Sequence, residues 1–317
     1  MTRVAALVVF VGLPALVLAA GAGYLGHLVR TWDDGASTIR AAFPAEAGRP
    51  APVDDGSLDI LLLGSDTREA GASGRSDSMM LVHLPADRDA VYVMSILRDT
   101  WVDVPGHGQA KINAAYSWGG VPLTVQTVEQ LLQTRIDHVA EIDFAGFEAM
   151  TDALGGVDVV SERAFRAGGH DIAAGPNHLD GEQALDFVRE RKSFAEADHQ
   201  RVRNQQAFVR GLADGLLDRS TLTDPGALSS FVAATAEHVA VDAGLTPTRM
   251  AEIAWSSRGL TSAGIRSFTM ATSGGGTSAD GQSYVAFDVD RLYALREALR
   301  DDTVGDYLAR ASSVPTG

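Results

Sequence analysis

Apolar runs punctuated by acidic and glycine-rich turns set the layout of this chain. Leu58 to Gly64 (LDILLLG) is a continuous apolar run of strand length, ending just before Asp66, as expected of a buried strand. Ser78 to Pro85 (SMMLVHLP) and Val91 to Leu97 (VYVMSIL) are two more, joined by the turn residues Ala86-Asp87-Arg88-Asp89. Paired as a hairpin, they bring Asp77, at the start of one, beside Arg98, at the end of the other. A first strand running parallel to the third adds Asp66 to the same edge. Trp101 to Pro105 alternates as a fourth short strand, ahead of a turn at Gly106 and Gly108. Pro122 to Gln133 then reads as a helix, His138 to Phe144 as a strand, Phe144 to Leu154 as a helix stopped by Gly155-Gly156, and Val157 to Ser161 as a strand. That alternation predicts α/β layering.

Ala164 to Asn177 is glycine-rich and irregular. Leu179 to about Arg189 opens a helix with Asp180 as N-cap and Gln183 completing a capping box. Asp198 to Leu217 carries the strongest helical period: Val202, Gln206, Val209, Leu212, Ala213, Leu216 and Leu217 form one stripe, and Asp198, Arg201 and Gln205 another. Pro225 to Ala240, Pro247 to Ser257 and Asp288 to Leu299 also read as helices, Ile265 to Ala271 as a strand, and Gly274-Gly275-Gly276 as a flexible loop. Residues 31–56 are small, polar and proline-bearing, the character of an extracytoplasmic linker. Neither an internal repeat nor a second compositional regime appears, so one domain is expected over 57–302, with 303–317 as a C-terminal tail.

Val4 to Leu28 is apolar except for His27, long enough for a bilayer span of about 20 residues. Arg3 and Arg30 flank it, so orientation is weakly encoded. A cleaved signal peptide is the rival, given the small residues at 19–23. The run outlasts the usual ~7–15-residue signal core, which favours an uncleaved membrane anchor over 1–30 and a domain outside the cell.

The 317 residues suffice for a sizeable core, and 45% hydrophobic with 21% charged content is ordinary for a globular protein. A net charge of −15 argues against general binding to nucleic acid or an anionic membrane surface, while allowing a local basic pocket. Of 26 basic residues only Lys111 and Lys192 are lysines. With no cysteine, disulfides, thiolate metal sites and a cysteine nucleophile are excluded. There is no GxxxxGK[ST], no GxGxxG after a strand, no GxSxG and no HExxH, and the histidines are scattered.

What stands out is Asp66, Arg68, Arg75, Asp77, Arg98 and Asp99 at one sheet edge. Two carboxylates with several guanidiniums suit Mg²⁺ and a phosphorylated ligand, because oxygen ligands match the ion and the arginine fork matches phosphate. The plainer readings are turn-capping aspartates and a surface ion pair of little energetic value. Arg189, Arg191 and Lys192 form a basic helix end. Residues two apart share a side only in extended chain, so Arg189 and Arg191 reach one ligand only if the helix ends between them. Asp198, Arg201 and Gln205, spaced three and four apart, address one site or make a polar surface stripe.

From Asp59 onward the chain resembles the LytR-CpsA-Psr domain. The resemblance runs through GSDTR at 64–68, RSDSMMLVHL at 75–84, SILRDTWVDVPGHGQAKINAAYSWGG at 95–120 and TVEQLL at 127–132. It continues in IDFAGFEAMTDALGGVDV at 142–159, LDGEQALDFVRERK at 179–192 and DHQRVRNQQ at 198–206. It implies a single three-layer α/β/α domain with a mixed central sheet, outside the membrane and tethered by one N-terminal transmembrane helix. It also implies an enzyme whose donor is a polyprenyl-pyrophosphate-linked glycan and whose acceptor is a peptidoglycan sugar hydroxyl, with no nucleic-acid partner. Asp66 and Asp77 resemble the carboxylates that hold Mg²⁺, or another divalent ion such as Mn²⁺. Arg68, Arg75, Arg98, Arg189, Arg191 and Arg201 resemble the pyrophosphate-binding arginines, with Asp198 and Gln205 in support and Lys111 and Asn113 nearby. Arg98, Asp99 and Asp66 are the catalytic candidates, Asp66 or Asp99 taking the hydroxyl proton. Leu97, Phe187, Gln200 and Asn204 depart from the family's usual proline, tyrosine, small residue and arginine. The alternatives are a polyprenyl-pyrophosphate hydrolase and a non-catalytic envelope glycan-binding or regulatory protein.

Overall fold

A computed structural model of the chain describes residues 23–24, 26–65, 76–191, 193–194, 197–218 and 224–313, with backbone alone at 76–77, 197–198 and 313. The central strands are β1 (Ser37–Thr38), β2 (Leu58–Ser65), β3 (Ser76–Leu84) and β4 (Val91–Ile96). Two hairpin strands, β5 (Trp101–Val104) and β6 (Gly108–Lys111), precede helix α1 (Asn113–Leu132) and β7 (His138–Asp143). Helix α2 (Phe144–Ala153) follows, then β8 (Val157–Ser161), β9 (Phe165–Ala167), β10 (His170–Ile172), β11 (Gly175–Leu179) and helices α3 (Gly181–Arg189) and α4 (Ala197–Leu217). The remainder is α5 (Pro225–Ala236), β12 (Val239–Val241), α6 (Pro247–Ser256), β13 (Ile265–Thr269), β14 (Thr272–Thr277), β15 (Ser283–Phe287), α7 (Val289–Arg300) and α8 (Val304–Ser313).

Seven strands form a mixed sheet in the order β1-β12-β7-β2-β3-β4-β13. β2 and β4 both run antiparallel to β3, which lies between them, so they point the same way, and β7 runs parallel to β2. These strands are apolar at nearly every position because both faces are covered. Leu61, Leu63, Met79, Leu81, Met94 and Val139 face α1, α7 and α8 in one large core. The alternate residues face the other way, where Met80 and Val93 meet α4 and where Ala140, Ile142, Val239 and Val241 meet α6. The fold is therefore mixed α/β with helices on both sides of the sheet, as expected.

Several boundaries differ from expectation. Residues 31–56 do not form a linker: the chain is helical over 26–35, β1 pairs with β12, and Ile39 and Ala42 are buried in the main core. Arg49 forks onto Glu129, Nη2 lying 2.6 Å from Oε1. A two-residue strand has no period to read, and every one of these partners lies far along the chain. Within the expected C-terminal tail, residues 304–313 form α8, which buries Val304 and Tyr307 against the core. Pro225 to Ala240 is not one helix: α5 ends at Ala236 and the apolar Val239–Val241 enters the sheet. Gly274-Gly275-Gly276 is strand, paired with β15. Ala164 to Asn177 folds into short hairpin strands. Helix α1 begins nine residues before Pro122 and breaks at Gly120, whose φ of 62° and ψ of −153° only glycine adopts readily. Among the described residues no helix is long and apolar enough to cross a membrane. Most of Val4 to Leu28 lies outside them.

Candidate functional site

A cavity of about 410 Å³ opens between the sheet and helices α2, α3, α4 and α5. It lies toward the C-terminal ends of β2 and β7, where open α/β sheets commonly bind ligands. Gly64 and Ser78, cross-strand partners, line it, and a side chain at 64 would crowd the Ser78 Cβ at 3.1 Å. Beyond them the register slips by one, Gly64 pairing with Ser78 but Ser65 with Ser76, so Asp77 is the extra residue of a bulge. Bulges beside sites re-aim a side chain out of the regular pleat.

Arg98, Arg189, Arg191, Arg201 and Gln205 all line this cavity. Met79 pairs with Ile96, so the register brings Asp77 and Arg98, each two residues further on, to the same edge. Helix α3, started by the expected Asp180–Gln183 capping box, ends at Arg189, and Glu190 is extended with a ψ of 129°. That break lets Arg189 and Arg191 share the cavity. The Arg189 guanidinium stacks 4.4 Å from the centroid of the Phe144 ring. Arg201, buried in the first turns of α4, and Gln205 stand one turn apart.

The residues that depart from the family's pattern hold this corner together. Asn204 Nδ2 donates to the Phe187 carbonyl at 2.9 Å, Gln200 Nε2 donates to Asn204 Oδ1 at 3.1 Å, and Arg203 Nη2 donates to Gln200 Oε1 at 2.6 Å. This buried network pins the start of α4, with Arg201, against the end of α3, with Arg189. Phe187 is fully buried and Leu97 caps the turn after β4, its carbonyl accepting from Thr100 Oγ1 at 2.6 Å.

Along α4 the lining changes character. Arg201 and Gln205 give way to Phe208, Val209 and Leu212, so polar and apolar ends are separated by about 16 Å at 1.5 Å per helical residue. Leu62, Met80, Phe147, Leu185 and Val188 complete the apolar wall. Two acidic residues, Glu141 and Asp143, also border the cavity, but the Glu141 carboxylate accepts from Tyr116 of α1 and Asp143 is engaged by the Gly146 N–H at 2.7 Å and by His238 Nδ1 at 3.4 Å. In a chain of net charge −15, this is a local basic pocket with an apolar extension.

Not every expected residue arrives there. Asp99 and Lys111 pair with each other at 3.2 Å, and neither lines the cavity. Asn113 holds the neighbouring turn through its backbone N–H on the Arg98 carbonyl at 3.2 Å. Asp66, Arg68 and Arg75, and the side chains of Asp77 and Asp198, lie outside the described residues. Among the described residues no group of three or more histidine, cysteine, aspartate or glutamate side chains is arranged to hold a metal.

Glu141 and Tyr116 escaped sequence reasoning. The Tyr116 hydroxyl donates to Glu141 Oε1, while Oε2 is buried with no partner among the described residues. The signal was present: within HVAEID, Glu141 falls on the same face as Val139, out of pattern for a doubly covered strand.

The sequence pattern of the LytR_cpsA_psr family matches residues 35–301, starting inside the stretch expected to be a linker. The polyisoprenyl-teichoic acid--peptidoglycan teichoic acid transferase TagU of Bacillus cereus (strain AH820) is 40% identical over 170 residues, 53% of this chain and 56% of that protein. TagU of Oceanobacillus iheyensis is 38% identical over 176 residues, 54% and 55% of the two chains. The chain thus spans a little over half the length of the curated relatives it matches. Among solved structures, B. subtilis TagV superposes with a TM-score of 0.67 at 28% identity, covering 80% of this chain and 99% of that one. TagT bound to LI-WTA superposes with a TM-score of 0.65 at 27% identity, covering 84% and 99%.

Proposed function

Because the chain belongs to the LytR_cpsA_psr family, we propose that it is a phosphotransferase moving a glycopolymer from a polyprenyl-pyrophosphate carrier onto a peptidoglycan sugar hydroxyl. The carrying observation is one cavity with arginines from three separate elements at one end and an apolar wall beyond them. A diphosphate with an isoprenoid tail has that same division. The acceptor hydroxyl attacks the sugar-proximal phosphorus, a phosphodiester forms, and polyprenyl phosphate leaves. Negative charge grows on the phosphoryl oxygens and the leaving phosphate, where preorganised guanidinium donors contribute most. Arg98, Arg189, Arg191 and Arg201 fill this role, and the family resemblance assigns Arg68 and Arg75 to it as well.

Asp66 and Asp77 would hold Mg²⁺, sharing it with phosphate oxygens in the manner usual for this ion. The bulge that frees Asp77 from the regular pleat supports the assignment. When bound, the ion neutralises charge on the pyrophosphate. Asp66 or Asp99 takes the hydroxyl proton; Asp99 lies 3.2 Å from Lys111 and 3.8 Å from Arg98, which itself lines the cavity. The N-terminal segment 1–30 anchors the domain on the outer side of the membrane.

The test is full-length protein in detergent with a lipid-pyrophosphate-linked donor and peptidoglycan. Polymer-linked peptidoglycan and polyprenyl phosphate should appear in equal amounts. Release of polyprenyl phosphate without linked polymer, acceptor being present, would identify a hydrolase instead.

A further inference from the structure

A second cavity, of about 470 Å³, lies where the β5–β6 and β14–β15 hairpins meet the end of α1, and the proposed transfer chemistry does not use it. Trp101 and Tyr284, both half-buried, stack within it with ring centroids 4.7 Å apart and an interplanar angle of 26°. The Tyr284 ring lies flat on its hairpin because its cross-strand partner is Gly276: a Cβ there would meet the ring at 2.5 Å. The glycine run read from sequence as a loop is thus what seats an aromatic platform.

Beside the platform stand three exposed planar polar groups. Asp103 and Gln109 are cross-strand partners, and Gln130 Nε2 reaches from α1 to donate to Asp103 Oδ2 at 3.2 Å. An aromatic surface flanked by amide and carboxylate groups, which together donate and accept, matches a pyranose: its C–H face lies on the ring and its hydroxyls take the polar edge. The charged residues of the lining are one carboxylate, Asp103, and one guanidinium, Arg296, whose Nε donates to the Leu131 carbonyl at 2.9 Å, in contrast to the four arginines of the first cavity. Trp101 begins three residues after Arg98, at most about 11 Å away in extended chain. The Val285 N–H also donates to the Asp99 carbonyl at 2.9 Å. The two cavities are thus close enough along the chain for one glycan to reach both.

We propose that this second cavity is a glycan subsite that seats an uncharged pyranose unit of the acceptor strand or of the transferred polymer. Its part in transfer rests on the function proposed above, whereas the binding of sugar does not. Full-length protein in detergent is titrated calorimetrically with chitotetraose, a neutral soluble glycan. The exposed double variant Gln109→Ala/Gln130→Ala should bind at least about fivefold more weakly, the loss expected for two modest hydrogen bonds. Tyr284→Ala should abolish binding, and the double variant, confined to exposed side chains, reads out sugar contact apart from any loss of stability in Tyr284→Ala. Arg98→Lys, impaired in transfer, should bind chitotetraose like the unaltered protein, so loss of the transfer reading would leave the sugar result standing. In the transfer assay the double variant raises KM for peptidoglycan if the acceptor occupies the subsite, and for the lipid-linked donor if the polymer does. Equal chitotetraose binding by parent and double variant, no binding by either, or an unchanged KM for both substrates would overturn the proposal.

Discussion

The two faces of the central sheet are built from the same apolar residues and finished differently. On the face toward α1, α7 and α8, buried side chains from five strands of the sheet and three helices form one continuous cluster. On the other face the described apolar residues divide into smaller groups under different helices, and the cavity lies among them. Close packing is the default of a protein interior. A gap left open beside four arginines is therefore stability forgone, as the proposed lipid-linked donor would require. One face holds the fold, and the other holds the chemistry.

Adjacent residues of β2 expose the difference most sharply. Both border the cavity, but Leu63 is 1% exposed and belongs to the continuous cluster, whereas Leu62 is half-buried and packs into one of the smaller groups. Leu63→Ala should cost about 2–5 kcal/mol in urea denaturation, the range for a truncation that leaves a void in packed core. Leu62→Ala should cost under about 1.5 kcal/mol, because part of its surface already faces a gap. Equal losses would mean that the cavity closes in solution and that the two faces are alike.

The next effect reverses the asymmetry. Arg98→Lys keeps the charge but loses the planar fork, so transfer should fall on the order of 100-fold with stability unchanged. Arg300→Lys, on the opposite face in an exposed pair with Asp301 at 2.9 Å, serves as the silent control. Arg88 in the hairpin turn would not: its guanidinium donates to the carbonyls of Leu84, Pro85 and Gly56. Similar rates for Arg98→Lys and the parent, with a defined lipid-linked donor, would remove Arg98 from the site.

A smaller loss is expected for Asn204→Ala, which strands the Phe187 carbonyl and Gln200 and lets the ends of α3 and α4 drift apart. Turnover should drop by about tenfold and stability by about 1–2 kcal/mol. Asn204→Asp retains an acceptor for Gln200 but not the donor to Phe187. Recovery of turnover by this variant would show that the α3–α4 clamp is not what positions the arginines.

The smallest effect lies at the opposite edge of the sheet, far along the strands from the cavity. Burial pushes the His83 imidazole pKa down, but Asp59 at 2.8 Å and Asp302 at 2.9 Å, one on each ring nitrogen, outweigh it and hold the pKa above the ordinary value. A raised folded pKa contributes stability that is complete below the unfolded pKa of about 6.5 and is lost as pH rises through the folded value. The parent should therefore lose more stability than His83→Gln on going from acidic to alkaline pH, with activity per folded molecule unaffected. Parallel stability profiles in urea would show that His83 is not charged in the folded state.

The legible parts of this protein were those written in local chemistry. The buried runs of β2, β3 and β4, the capping box of α3 and the stripe of α4 each depend on residues within a few positions of one another, so pattern alone located them. The same holds for the edge that gathers Arg98 with Asp77, because a hairpin's register follows from its turn. The arginine pair at 189 and 191 posed a condition, a helix end between them, that the structure meets.

What the sequence left open was settled by partners distant along the chain. Ser37–Thr38 is strand only because Val239–Val241 lies beside it, and the glycines at 274–276 are strand only because Ser283–Phe287 pairs with them. Asp99 is shared between Arg98, its neighbour in the cavity wall, and Lys111, which the β5–β6 hairpin brings back to it. The cavity itself has no local signature, since Leu62 and Leu63 are the same residue in the same strand. Which of them meets packed core and which meets a gap depends on how fully α2 to α5 cover one face, and that is fixed by helix packing across the whole domain.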